Sequence, residues 1–179
     1  MGVKMNIKTI LSHGAEIPKR GTKTSAGMDL VIKGYRFFNE DKILSEPMWF
    51  DEEVPHDHSG TVPLKPGGRM LALTGIKMFL PSPLMSIFVH EMQVRPRSGN
   101  ALKLGLTVLN SPGTIDQDYH GDIGVILYNA SNETIILNDG DKIAQLVISS
   151  VYIGEQFEVV TSFEESERGD GGFGSTDKK

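Results

Sequence analysis

Apolar residues fall along this chain in short groups, "MNIKTIL", "GMDLVI", "RMLALTGIKMFL", "MSIFVHEMQV", "LTVL", "DIGVILYN", "ETIIL", "KIAQLVISSVYI" and "FEVV", separated by Gly, Pro, Asn and Asp. Many short strands at this spacing predict an all-β sandwich or barrel. In "DIGVILYN", Ile123, Val125 and Leu127 alternate with Gly124, Ile126 and Tyr128. Both faces are mostly apolar, so that strand should be covered on both sides, by a second sheet or a neighbouring subunit. No long stretch keeps a helical period. The segment "RSGNALKLG" can carry about two turns, with Ser98 as N-cap and Gly105 just past the end. Turn formers in "NSPGTID" and "DYHGD" flank a short extended piece, which reads as a β-hairpin carrying Asp116 and Tyr119.

Two regions break this rhythm. Residues Gly34 to Gly60 mix acids with Phe37, Phe38, Trp49 and Phe50, and are expected to form a surface insertion packed on itself through those aromatics. The same aromatics offer a candidate patch for an unidentified protein partner. His56 and His58 share one side of an extended segment there, but no third ligand accompanies them, so no zinc site is expected. The other departure is the tail "ESERGDGGFGSTDKK", too rich in Gly and small polar residues to hold a structure alone. The expected organisation is one β domain over residues 1–165, with the insertion at about 34–60, and a flexible tail over 166–179 that orders on a ligand.

Composition narrows the function. A chain of 179 residues with 39% hydrophobic side chains buries one substantial core. The net charge of −5 lacks the basic field that nucleic-acid backbones demand, so no nucleic-acid partner is expected. There is no Cys, hence no disulfide and no thiolate metal site. The apolar runs fall far short of the ~20 residues of a membrane span, so no membrane is expected and the location is read as cytoplasmic, or nuclear in a eukaryotic or viral setting.

An acidic chain that binds a polyanion needs a local cluster of cations and free N–H groups. Two stretches supply one. "RPRSGN" places Arg95, Arg97 and Ser98 where a helix begins. "RGDGGFGST" joins Arg168, four glycines, the aromatic Phe173 and the hydroxyls of Ser175 and Thr176, a set suited to a phosphate chain with a planar base attached. The Walker signature is absent. From the residues alone, the carboxylates Asp116, Asp118 and Asp122 read first as turn residues making Asx bonds, and only second as offering a base for a water molecule.

Five motifs then stand in one order: "AGMDL" (Ala26 to Leu30), "RPRSGN" (Arg95 to Asn100), "NSPGTIDQDYHG" (Asn110 to Gly121), "GDKIAQLV" (Gly140 to Val147) and "RGDGGFGST" (Arg168 to Thr176). With them the chain resembles the homotrimeric dUTP pyrophosphatase (dUTPase) family. The resemblance implies a distorted jelly-roll-like β fold, assembled as a homotrimer whose three sites each draw on three chains. It implies hydrolysis of dUTP to dUMP and pyrophosphate, with Asp116 as general base and Asp118 and Asp122 as turn or surface residues. Asn110 and the hairpin backbone around Gly113 and Ile115 would hold uracil, and Tyr119 would pack under the deoxyribose. Arg97, Ser98, Gly99 and Gln145 would lie along the triphosphate. From the tail, Arg168, Gly174, Ser175 and Thr176 would reach the γ-phosphate while Phe173 covers the base. The resemblance also implies Mg²⁺, held chiefly by the phosphates with no protein ligand required, and Asp29 near its bound water.

Some positions depart from the family pattern. Met28 stands where an aromatic or aliphatic residue is common, Lys142 stands where Arg is usual, and Asp177 follows the hydroxyls where Gly is frequent. The segment 34–60 falls outside the pattern. Two other readings stand beside the hydrolase: a nucleotide-dependent regulatory module that uses the insertion to hold a protein, and a relative of dCTP deaminase, which expects a Glu as the acid/base of the pocket.

Overall fold

The computed structural model describes residues 5–38, 44–52, 60–82, 87–166 and 169–170. Among these are thirteen strands and one helix: β1 (Lys8–Leu11), β2 (Met28–Val31), β3 (Gly34–Arg36), β4 (Met48–Trp49), β5 (Thr61–Leu64), β6 (Arg69–Leu73), β7 (Ile76–Phe79), β8 (Phe88–Arg95), α1 (Ser98–Leu104), β9 (Leu106–Val108), β10 (Gly113–Ile115), β11 (Gly124–Asn129), β12 (Ile135–Asn138) and β13 (Lys142–Tyr152). Two larger sheets run β10-β8-β13-β2 and β4-β3-β6-β11-β9, and two ribbons pair β1 with β7 and β12 with β5. The fold is the expected all-β, jelly-roll-like arrangement; its sheets stay open and do not close into a barrel.

Period-two burial explains the stacking. Met92 and Val94 of β8, Leu146 of β13 and Leu30 of β2 join Met70 and Ala72 of β6 and Val125 and Leu127 of β11 in one core cluster. Each fully buried Leu or Met there stabilises the fold by about 1.5–3 kcal/mol relative to exposure. The opposite face of the first sheet carries Asp29, Glu91, Gln93, Arg95 and Gln145, because a strand sends alternate residues to opposite sides. This one-sidedness puts the polar chemistry on a rigid support.

Several expectations are corrected. On β11, Val125 and Leu127 are buried but Ile126 and Tyr128 are only half-buried, so its second face is covered in part within the chain. Arg97, not Ser98, occupies the N-cap position of α1 and makes no side-chain cap; Ser98 is the first helical residue. Gly105 ends the helix as expected, at φ 67. The stretch expected to be a hairpin pairs through β10 with β8, while its chain neighbours β9 and β11 lie in the other sheet. The open edge of β8 receives it because Gly113 fits against Val94 and Ile115 reaches the core.

The segment 34–60 is not a self-contained excursion. Its β3 pairs with β6, extending the five-stranded sheet, and β4 forms that sheet's edge. Its aromatics pack partly on one another, as expected, and partly on the body: Phe37 and Phe50 lie against Tyr35 of the same segment, while Trp49 stacks on His13 at 3.7 Å and Phe38 sits under the Arg69 guanidinium. His56 and His58 lie outside the described residues.

Candidate active site

A cavity of about 460 Å³ opens where the loop before β2, the start of α1 and β13 meet, lined by Gly21, Ser25, Ala26, Gly27, Asp29, Arg97, Ser98, Gly99 and Gln145. Arg20 closes that loop by donating to the carbonyls of Ser25 and Ala26. The first helical bond runs from Ala101 N–H to the Arg97 carbonyl, so the N–H groups of Ser98, Gly99 and Asn100 precede the helical ladder and face an anion-friendly helix start.

Asp29 organises the cations around this cavity. Its Oδ1 accepts from Arg97 Nε at 3.0 Å and its Oδ2 meets Lys142 Nζ at 2.8 Å. Burial pushes the Asp29 carboxyl up, but the hydrogen bonds and charges of Lys142 and Arg97 outweigh it and hold the group below its ordinary value. Asn100, absent from the residues singled out in sequence, donates from Nδ2 to the Lys142 carbonyl at 2.7 Å and ties α1 to β13. The only sequence signal for this role is its place at the end of "RPRSGN".

Gln145 sits between Asp29 and Arg95 in the sheet register. Its Nε2 donates to the Pro96 carbonyl at 2.9 Å, and its Oε1 lies where a Cβ on Gly27 would come within 2.2 Å. The side chain therefore ties β13 to the Pro96 carbonyl and lies over Gly27, where a larger residue would have to displace it.

Asp116 lies elsewhere. It is exposed, its carboxylate without a hydrogen bond or ion pair among the described residues, at a turn closed by Tyr119 N–H to the Asp116 carbonyl at 3.1 Å. Tyr119 Oη donates to the Asp122 carbonyl at 3.1 Å, and its ring lies so close over Gly121 that a Cβ there would meet Oη at 2.3 Å. Asp122 pairs with Lys77 at 3.7 Å, and Asp118 is an exposed turn residue that borders the same cavity as Asp116. Asn110 is exposed with Nδ2 against Gly113, and Ile115 turns into the core, leaving only its backbone for a ligand. Arg168, Phe173, Gly174, Ser175 and Thr176, and with them Asp177, lie outside the described residues.

Asp116 borders a second cavity, of about 790 Å³, which shares no lining residue with the first. Ile115 pairs with Met92, so Asp116 is level with Glu91, whereas Gln145 is level with Arg95. Four strand residues, about 13 Å, separate those levels. Within one chain, then, the first cavity and the exposed carboxylate stand at different levels of the same sheet.

An open jelly-roll-like β protein with a cation-rich, glycine-walled cavity belongs among proteins that handle phosphorylated ligands. This chain belongs to the dUTPase family, whose profile matches residues 59–177. The deoxyuridine 5'-triphosphate nucleotidohydrolase of Heliobacterium modesticaldum is 41% identical over 174 residues, 97% of this chain and 96% of its own length. That of Bdellovibrio bacteriovorus is 48% identical over 118 residues, 66% of this chain and 74% of its own length. Among solved structures, a point mutant of the Staphylococcus bacteriophage 80alpha dUTPase with dUpNHpp has a TM-score of 0.67 and 25% identity, covering 97% of this chain and 98% of that one. The phage phi11 dUTPase, described with a structural Mg(II) ion, shares the fold at TM-score 0.62 and 23% identity, covering 89% of this chain and 99% of that one. The family profile begins at residue 59, after most of the 34–60 segment.

Proposed function

We propose that the protein hydrolyses dUTP to dUMP and pyrophosphate at sites shared between the copies of a homotrimer. The observation that carries the shared site is the separation, within one chain, of the phosphate-type cavity from Asp116. A second copy has to bring its Asp116 turn to the first copy's Arg97 and Asp29, and the tail of the third closes over them.

In this reading Arg97, oriented by Asp29, and the N–H groups of Ser98 and Gly99 take the phosphate oxygens through charge-assisted bonds. Gln145 holds the Pro96 carbonyl with one amide N–H and keeps its second N–H for the triphosphate. Asp116 of the second copy accepts the proton of the water that attacks the α-phosphorus. A carboxylate of ordinary pKa ~4 is already ionised near neutral pH, so its placement counts for more than its basicity. Asn110 and the backbone of β10 read uracil, and a site that fixes O4 and N3–H discriminates against cytosine by ~10⁴ because the wrong base leaves buried groups unpaired. Tyr119 crowds out a 2′-hydroxyl. Arg168, Gly174, Ser175 and Thr176 of the tail take the γ-phosphate, and Phe173 covers the base.

Asp29 is the one acid lining the cavity among the described residues, so a Mg²⁺ ion would be held chiefly by the oxygens of the triphosphate on which it arrives. Among the described residues no cluster of three His, Cys, Asp or Glu could cage a metal, and both oxygens of Asp29 are engaged by cations. When bound to the phosphates, the ion would neutralise their oxygens further, and Asp29 is the carboxylate of the cavity that would lie near its water. The test is direct: purified protein with Mg²⁺ and dUTP, dCTP, dTTP or UTP, with products identified. Release of dUMP and pyrophosphate from dUTP alone is expected, and deamination of dCTP would overturn the reading.

A further inference from the structure

We infer that Gln117 is a positioning residue for Asp116, and that it works by substituting a side-chain amide for the next rung of the β8–β10 ladder. Gly113, Thr114 and Ile115 face Val94, Gln93 and Met92 in turn. Continued for two more residues, that register would set Gln117 opposite His90. The chain instead leaves the sheet at Asp116, where the turn to Tyr119 begins, and the His90 N–H loses its main-chain acceptor. Gln117 Oε1 takes that N–H at 3.0 Å. Its Nε2 donates to Ser82 Oγ, also at 3.0 Å. The His90 ring contacts the Pro81 carbonyl through Nδ1 at 2.9 Å, so both residues draw the 81–82 segment against the same end of β8.

The consequence falls on the residue in between. Asp116 is preceded by the last true ladder residue and followed by a residue whose side chain is bonded to β8 and to Ser82. Its backbone is held on both sides while its carboxylate has no partner among the described residues. A base that must meet a water and a phosphate delivered by another copy requires that combination, a fixed main chain with a free carboxylate. Without Gln117 the turn would be tied to β8 only up to Ile115.

This inference rests on Asp116 being the base, and the experiment separates the two claims. Gln117→Met keeps length and bulk but removes both polar contacts; Gln117→Glu restores an acceptor for the His90 N–H. Gln117→Met should lower kcat by ~10–100-fold, the scale for displacing a reacting group by about an ångström, with KM within about twofold because the phosphate cavity is untouched. Hydrogen exchange at the His90 amide should quicken by about tenfold, and Gln117→Glu should recover much of both properties. Ser82→Ala, which removes only the second contact, should give a smaller loss of kcat in the same direction and serves if Gln117→Met folds poorly. Unchanged kcat with faster His90 exchange would show that the bond exists but does not position the base, and overturns the inference. Lowered kcat with His90 exchange unchanged overturns it as well. A wild-type rate in Asp116→Asn alone would remove the base assignment itself, and the inference with it.

Discussion

Replacing Asp29 by Asn tests the organisation of the phosphate cavity most sharply, because one atom change removes the charge that two cations share. The amide can still accept one hydrogen bond, but its NH₂ then faces whichever cation the oxygen does not serve. Arg97 is 31% exposed and Asp29 23%, so their bond counts as a partly buried charge-assisted one, worth about 1–2 kcal/mol. Lys142 is 55% exposed, and solvent screening limits its pairing to under about 1 kcal/mol. The loss is then about 2 kcal/mol, which for a domain of this size lowers Tm by about 4–8 °C. Because Lys142 and Arg97 hold the Asp29 carboxyl below its ordinary value, the wild-type advantage is complete above that ordinary value of ~3.9 and fades as pH falls through the lower folded one. Thermal melting of the nucleotide-free protein at pH 7 and again near the acid limit of folding measures both points. KM for dUTP should rise about tenfold as Arg97 loses its orientation. A Tm within about 1 °C of wild type at pH 7, or a deficit that stays constant as Asp29 protonates, would refute the reasoning.

Asp116→Asn should keep substrate binding and assembly while turnover falls ~10²–10⁴-fold, read by dUTP titration beside steady-state rates; a wild-type rate would move attention to Asp118. Gly27→Ala drives a methyl group to 2.2 Å from Gln145 Oε1 and 3.1 Å from its Cβ, so Gln145 must abandon the Pro96 carbonyl. The cost should be ~1–3 kcal/mol of overpacking, seen in apo melting together with a raised KM, and a neutral variant would show that Gln145 is free to move. Co-expressing Asp116→Asn with a chain truncated after Ser166 should restore about a quarter of wild-type activity when neither has any alone, since each shared site draws a good base and a good tail with independent one-half chances. No recovery in verified mixed trimers would refute sites built from several chains.

What the sequence disclosed, and what it hid, follows from the range of the interactions involved. The β character was legible because burial on one face imposes period two, and Leu30, Met92, Val94, Val125, Leu127 and Leu146 all obey it. Gly105 was legible because a helix end at φ 67 excludes most other residues. The partner of β10 was not, since turn formers on either side predict a reversal but cannot say that the open edge of β8 will capture the strand first. Its capture matters for chemistry. Pairing with β8 fixes the level of Asp116 four residues from that of Gln145, and the proposed sharing of sites between copies rests on this separation. The same long-range register decides which neighbours count. Asn100 and Gln117 carry no motif that distinguishes them from ordinary polar surface residues, yet each ends on a main-chain group 42 or 27 residues away. Arg97 could be named from the chain because an anion site restricts its type, and Asp29 and Asp116 because they stand in motifs that resemble a family's; the residues that hold them in place are restricted only by geometry, and geometry appears only once the strands are paired.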